Sequence, residues 1–346
     1  MKTRYTYLWL LTLLTAAFCF TGCSRGKQKP VWRFAIEETR GSVQDAYAQK
    51  FKQLIEEKSG DTVRVKVYPY GTLGTSDQLS ELLYNGSLQF SMASPGHIGK
   101  MIPEVQVLLL HYILSDAPSI NREVLNSPEI REQFDTLFAE KGFKLLSIFS
   151  EGWQVWTANK PLHSPKDFEG VKFRVMTSPL LMAAYEAYGA SATPLAFSEV
   201  YSALQLKMVD GQVNPIFAIE EMSFYEVNDY LIFANQAQFY TTCLVNRKFY
   251  DKLPPEQKVW VDESIEELRD YIFETQVKFN EERLKTIRDK NPSVKVVYLE
   301  KNERNVFREA SKSVRKMFDE MAGPRGATLL ESIVSKVEQL EKSASQ

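Results

Sequence analysis

Hydrophobic positions along the chain switch between period two and period three to four, and the switches fall in the order of a parallel-sheet unit. Val31 to Ile36 reads as a strand. After the turn and N-cap Gly41-Ser42, Val43, Ala46, Tyr47, Phe51, Leu54 and Ile55 recur at helical spacing, and Ser59-Gly60 stops the helix. Val63, Val65 and Val67 then alternate as a second strand, so strand, helix and strand follow one another as a parallel pair with its crossover. Thr72 to Asp77 supplies a turn and a cap before a helix with Leu79, Leu82 and Leu83 on one face, and Leu88 to Ala93 returns as a strand.

Further along, Met101 to Leu114 is apolar enough for a buried segment or a cleft wall, Asn126 to Lys141 reads as helix and Lys144 to Phe149 as strand. Glu151 to Trp156 is where the chain is expected to cross between lobes. In Val171 to Met176, Val171, Phe173 and Val175 take one face and Lys172, Arg174 and Met176 the other, so Arg174 points away from its own strand's core. Phe197, Val200, Tyr201, Leu204 and Met208 follow helical spacing and predict a core-facing helix from Ala196 to Met208. Asn214 precedes Pro215 and sits on a short rigid loop, because a residue before proline avoids the helical region. Tyr240 to Val245 is rich in β formers. Leu253-Pro254-Pro255 starts a helix that runs to about Lys290, roughly 50 Å at about 1.5 Å per residue, which is longer than one small domain. Val294 to Leu299 reads as the last strand, and a helix from Asn302 to Met321 closes the fold.

The length of 346 residues fits two lobes better than one core. A charged fraction of 25%, a hydrophobic fraction of 44% and a net charge of -2 are those of an ordinary globular protein, and no basic run interleaved with aromatics points to nucleic acid. The start is different in kind. Lys2 and Arg4 precede an apolar run from Leu8 to Phe20 that is too short for an ordinary spanning helix, and Phe20-Thr21-Gly22-Cys23 ends it in small residues before a cysteine. This resembles a bacterial lipoprotein signal, with residues 1–23 removed or lipidated at Cys23 and residues 24–30 as a polar tether. Cys243 is then the one cysteine of the mature body, which excludes an intramolecular disulfide.

Several motifs are similar to those of one family. Tyr68-Pro69-Tyr70-Gly71-Thr72-Leu73-Gly74, Asn85-Gly86-Ser87-Leu88-Gln89-Phe90, the loop Pro161 to Gly170, and above all Phe173 to Pro215 resemble the DctP-type solute-binding proteins of TRAP transporters. The resemblance implies an α/β, two-lobed, periplasmic-binding-protein-like fold with a long helix spanning both lobes. Lobe I would take residues 31–152 plus 240–280 and lobe II residues 153–239 plus 281–346. It also implies a receptor that captures a small organic acid, or a more apolar monocarboxylate, by hinge closure between the lobes. The receptor would deliver it to TRAP permease subunits without ATP. For a subset of such systems it implies a tetratricopeptide-repeat partner in the periplasm. By the same likeness Arg174 clamps the ligand's carboxylate, a role that its planar bidentate donors suit, and Asn214 hydrogen-bonds the ligand. Ser94, at a strand end facing the crevice, Met176 and Phe217 are the other expected ligand contacts. The family usually has a second arginine where this chain has Gln154, so Arg174 is expected to be the single full charge of the site, within walls otherwise apolar.

Other chemistry finds little support. His97, His111 and His163 are too scattered to suggest a metal site, and no nucleophile elbow, phosphate loop or GxGxxG suggests a catalytic residue or a cofactor. The acidic pairs Glu37-Glu38 and Glu220-Glu221 are expected to be solvated surface. Two readings stand beside that of a transport receptor: a surface lipoprotein acting as sensor or adhesin on the same fold, and a secreted enzyme, which would need a site that these residues do not announce.

Overall fold

The computed structural model describes residues 29–345, so the signal segment, Cys23 and most of the tether lie outside the described residues. Ten strands form one curled mixed sheet: β1 (Val31–Ala35), β2 (Arg64–Tyr68), β3 (Phe90–Ala93), β4 (Phe143–Ala158), β5 (Lys172–Val175), β6 (Ser191–Pro194), β7 (Gly211–Pro215), β8 (Tyr230–Phe233), β9 (Gln238–Asn246) and β10 (Lys295–Tyr298). Their order is β2-β1-β3-β9-β4-β7-β5-β6, with β8 joining β4 to β10. The helices used below are α1 (Val43–Lys58), α2 (Ser76–Tyr84), α3 (Pro118–Asn126), α4 (Pro128–Glu140), α5 (Pro179–Glu186), α6 (Val200–Gln205), α7 (Ile216–Glu221), α8 (Pro255–Lys290) and α9 (Lys301–Ala344).

The predicted strand–helix–strand opening is present, with β1 parallel to both β2 and β3. Strand β4 joins the lobes. From Phe143 to Trp153 it pairs antiparallel with β9, and from Gln154 to Ala158 it pairs with β7. One strand of 16 residues thus replaces the separate strand and crossing expected from the sequence. A register shift between Ser150 and Gly152 lets it change partners, and Gly152 there has φ 121°, open to glycine at little cost.

Each lobe is centred on an aromatic cluster. In the first, Phe34, Phe51 and Phe90 pack with ring centroids 5.0–5.8 Å apart. In the second, Trp156, Phe168, Phe173, Tyr185, Tyr188 and Phe307 form the core, and the Trp156 indole N–H donates to the Tyr185 hydroxyl at 3.0 Å.

Helix α8 has 36 residues and is about 54 Å long. It packs on α1 in the first lobe, runs along β4 and meets α7 in the second. Val261, Ile265, Leu268 and Ile272 bury its first half in one core, and Ile287 buries its end in the other.

Two expectations need correcting. The closing helix does not end at Met321: it breaks at Gly323, where φ is 67° and ψ is -168°, and resumes to Ala344. Leu329, Leu330, Ile333 and Val337 supply a second buried stripe that holds this last segment down. The helix after Ala196 is shorter than predicted, a single 3-10 turn followed by α6. Lys207, at φ 56°, ends it, so Met208 is 59% exposed and not in the core.

Candidate functional site

Strands β1, β2, β3, β5, β6 and β7 bring their C-terminal ends to one cavity of about 150 Å³. Glu37 and Glu38 follow β1, Tyr70 follows β2 and Ser94 follows β3. From the second lobe come Arg174 on β5, Met176 just after it, Leu195 after β6 and Asn214 on β7. Open α/β sheets place ligand sites at such a crevice because it is where backbone and loops of several strands converge. The lobes touch across it: Tyr70 meets Phe197 edge to face at 6.2 Å, and a Cβ on Gly96 would lie 2.7 Å from Cε of Met176.

Arg174 is only 2% exposed. Its Nε and Nη2 donate to the Leu195 carbonyl at 3.1 and 2.7 Å, while Nη1 has no partner among the described residues. No carboxylate forms an ion pair with it there. Burial lowers its pKa to about 10, which leaves it cationic at neutral pH. A desolvated cation with a free donor is costly unless an anion completes it.

Burial overturns the expectation that the acidic pairs are solvated. Glu37 and Glu38 are 7% and 8% exposed, and Glu220 is 6% exposed. Glu37 accepts from the Ser94 backbone N–H at 2.7 Å and lies 3.0 Å from Nδ1 of His97. Glu38 accepts from the backbone N–H of Gln44 at 3.4 Å, and the neighbouring carboxyl of Glu151 is fully buried. Gln44 also donates through Nε2 to Glu151 at 3.0 Å. Burial first, and then the neighbouring Glu151 charge, pushes Glu38 well above the usual carboxylate range. Burial likewise raises Glu151 to about 7. Glu221, bonded to the Thr39 hydroxyl across the lobes, is pushed up to about 8 by burial and then by Glu38. Glu220 differs, because Arg283 and Lys290 of α8 pair with it at 2.7 and 2.8 Å. Arg174 is therefore not the single ionisable group of the site, and its walls are not otherwise apolar.

Of the residues singled out from the sequence, Ser94, Arg174, Met176 and Asn214 line the cavity. Asn214 also donates to Gln212. Gln154 and Phe217 do not line it. Gln154 is buried in β4 opposite Pro215, and Phe217 packs into the first-lobe core from α7. Sequence reasoning missed Glu37, Glu38, Tyr70, His97 and Phe239. The signal was available for the first three, which immediately follow predicted strands β1 and β2. Phe239 arrives through antiparallel β9, a pairing that hydrophobic periodicity does not disclose.

Beside the cavity the lobes are pinned by Asn280 of α8. Its Nδ2 donates to the Glu151 carbonyl at 2.8 Å, and its Oδ1 accepts from the Phe217 N–H at 3.2 Å. One side chain thus holds both the crossing strand and the second-lobe helix α7. Elsewhere, no group of three or more histidine, cysteine, aspartate or glutamate residues among the described residues could hold a metal ion. His111, bonded to the Tyr188 hydroxyl at 2.7 Å, is held neutral by burial, which lowers it to about 3.

Known proteins share this fold. The family of bacterial extracellular solute-binding proteins, family 7, or DctP, matches residues 34–321. The ectoine-binding periplasmic protein TeaA of Halomonas elongata is 37% identical over 336 residues, covering 97% of this chain and 98% of that protein. The ectoine/5-hydroxyectoine-binding periplasmic protein UehA of Ruegeria pomeroyi is 38% identical over 307 residues, covering 88% of this chain and 90% of that one. Among solved structures, the ectoine-binding protein of the TeaABC TRAP transporter superposes with a TM-score of 0.86 at 37% identity, covering 89% of this chain and 99% of that one. An apo open TRAP periplasmic solute-binding protein from Marinobacter aquaeolei superposes with a TM-score of 0.83 at 40% identity, covering 88% of this chain and 99% of that one. With its two lobes, its bridging helix and a cation held open in the crevice between them, the chain belongs to the DctP family and is a solute-binding protein of the TRAP type.

Proposed function

We infer that the solute this receptor captures is a small zwitterion of the ectoine class, a compact ring carrying one carboxylate and one delocalised cation. The observation that carries the reading is the buried Arg174 Nη1, a charged donor with no partner among the described residues, in a cavity also lined by the acids Glu37 and Glu38. A carboxylate completes Arg174 with charge-assisted bonds, and the cationic end turns to the acidic wall. Tyr70, Phe197 and Phe239 add aromatic lining suited to a flat cation. A cavity of about 150 Å³ fits one small ring and disfavours the larger apolar monocarboxylate allowed by sequence alone. A dicarboxylate would set its second charge against Glu37 and Glu38. Two of the similar proteins bear names that record ectoine binding, which agrees with this charge pattern.

In this reading Arg174 and Asn214 hold the carboxylate end, Ser94 and Met176 shape the walls, and Gln154 and Phe217 support the site from behind. Lobe I (31–152 plus 240–280) and lobe II (153–239 plus 281–346) close about Gly152, with α9 reaching back over first-lobe helices α3 and α4. The receptor acts on the periplasmic face, tethered to a membrane by lipid on Cys23, and hands its solute to the permease. Native mass spectrometry of gently purified protein tests the ligand: a bound mass matching ectoine or hydroxyectoine, absent from Arg174→Ala, is expected. A co-purified dicarboxylate or a long-chain acid would overturn the reading.

A further inference from the structure

Among the described residues Glu151 neither lines the cavity nor pairs with a cation, yet it is fully buried, and Gln44 bonds both it and Glu38, one of the acids that line the cavity. Its Oε1 accepts from Gln44, and its Oε2 has no donor among the described residues, which leaves Glu38 as its neighbour. Two neighbouring carboxyls joined through one glutamine and buried from water do not both ionise readily, since each would desolvate a charge beside a like one. The surroundings do not relieve this. From β1 come Glu37, with His97 bonded to it, and Thr39 lies just beyond. The start of α1 supplies Ser42, the backbone N–H of Gln44 and, nearby, Asp45. From α7 comes Glu221, and from α8 comes Arg283, which pairs with Glu220 and not with this pair. Arg174 lines the same cavity.

We propose that Glu151 is a positioning residue of the binding site which holds a proton for Glu38, so that capture of a ligand's cationic end expels one proton from the Glu38–Glu151 pair. This rests on the zwitterion reading above. The balance is simple. In the empty site at mildly acid pH both carboxyls are protonated. A bound cation draws the charge onto Glu38, the O–H of one carboxyl breaks, its proton leaves to solvent, and the remaining proton stays on Glu151, turned away from the ligand. At higher pH the empty pair already holds a single proton, which moves from Glu38 to Glu151 on binding, and none is released.

The consequence is an affinity that depends on pH although the ligand's own charges do not change over the range. Ectoine titrated calorimetrically into the full mature protein should bind more tightly by about tenfold per pH unit between pH 5.5 and roughly 7, one proton per ligand, and level off above. Calorimetry in buffers of different ionisation enthalpy counts the proton directly. In Glu151→Gln the amide keeps the acceptor for Gln44 and can donate to Glu38, so Glu38 ionises at lower pH. That variant should bind ectoine more tightly than wild type at pH 5.5, vary by less than about threefold over the range and converge with wild type by pH 8. Curves of the two proteins that run parallel, with the variant weaker by one factor at every pH, would reduce Glu151 to a structural part and overturn the proposal. So would wild-type binding that is independent of pH and exchanges no proton. Absence of ectoine binding by wild type at any pH would instead remove the zwitterion reading, and this inference with it.

Discussion

Replacing Gly152 with alanine tests how the two lobes are pinned together. Gly152 sits at the register shift of β4 with φ 121°, a region that costs a non-glycine residue on the order of 1–3 kcal/mol. A Cβ there would also collide with the side-chain amide of Asn280. That amide donates to the carbonyls of Glu151 and Gln276, both at 2.8 Å, and accepts from the Phe217 N–H at 3.2 Å. Each such bond contributes about 1 kcal/mol net, and displacing the amide puts two of the three at risk. Gly152→Ala should therefore cost about 2–4 kcal/mol in denaturant unfolding of the ligand-free protein. In an Asn280→Ala background the collision partner is gone, and the same substitution should cost about 1–2 kcal/mol less, a coupling readable in a double-mutant cycle. A cost below about 0.5 kcal/mol would refute the strain argument. An equal cost in both backgrounds would refute the role assigned to Asn280.

Other outcomes follow from the buried acids and the buried thiol. Glu151 and Glu221 have folded pKa values of about 7 and about 8, above the roughly 4.3 expected of an unfolded glutamate. The folded state therefore binds more protons than the unfolded one between these values, and the stability the acids contribute is complete at low pH and lost as pH rises through 7 to 8. The melting temperature of the ligand-free protein should fall from pH 5 to pH 8.5, and Glu221→Gln should flatten that fall; a rise over this interval would contradict the assignment. Asp167, where burial raises the carboxyl but the bonds from Ser164 and the His163 backbone together outweigh it and hold it below its usual value, acts in the opposite sense, with its effect confined to more acid pH. Cys243 lies inside β9 and burial raises its thiol to about 12, so a thiol reagent at pH 8 should label it only when the protein unfolds. Rapid labelling of the native protein would show that β9 opens.

Much of the fold is legible in the sequence because burial imposes period on each element. Val171, Phe173 and Val175 alternate and are buried as a strand demands, and Pro255 opens α8 at the first turn where proline costs nothing. What periodicity does not carry is pairing. Strand β4 reads as two pieces because nothing local marks Gly152 as a bulge within one strand, and the last segment of α9 is hidden by Gly323-Pro324, a pair that stops a helix in sequence but only kinks it here. The site divides in the same way. Arg174 and Asn214 stand in a recognisable motif, whereas Glu37 and Glu38 look like surface until β1 is known to end in the crevice and Glu151 is brought behind them from a strand more than a hundred positions away. Two adjacent acids say nothing locally about burial. Their protonation depends on a contact that only the fold creates.

The central claim is that Arg174 holds the ligand's carboxylate. Calorimetric titration of ectoine into wild type and Arg174→Ala at pH 7.5 tests it most directly, with circular dichroism checking that the variant is folded. Removing one partner of a buried, hydrogen-bonded charge pair costs at least about 2 kcal/mol, so the variant should bind at least about thirtyfold more weakly. Equal affinity of a folded Arg174→Ala would contradict the account.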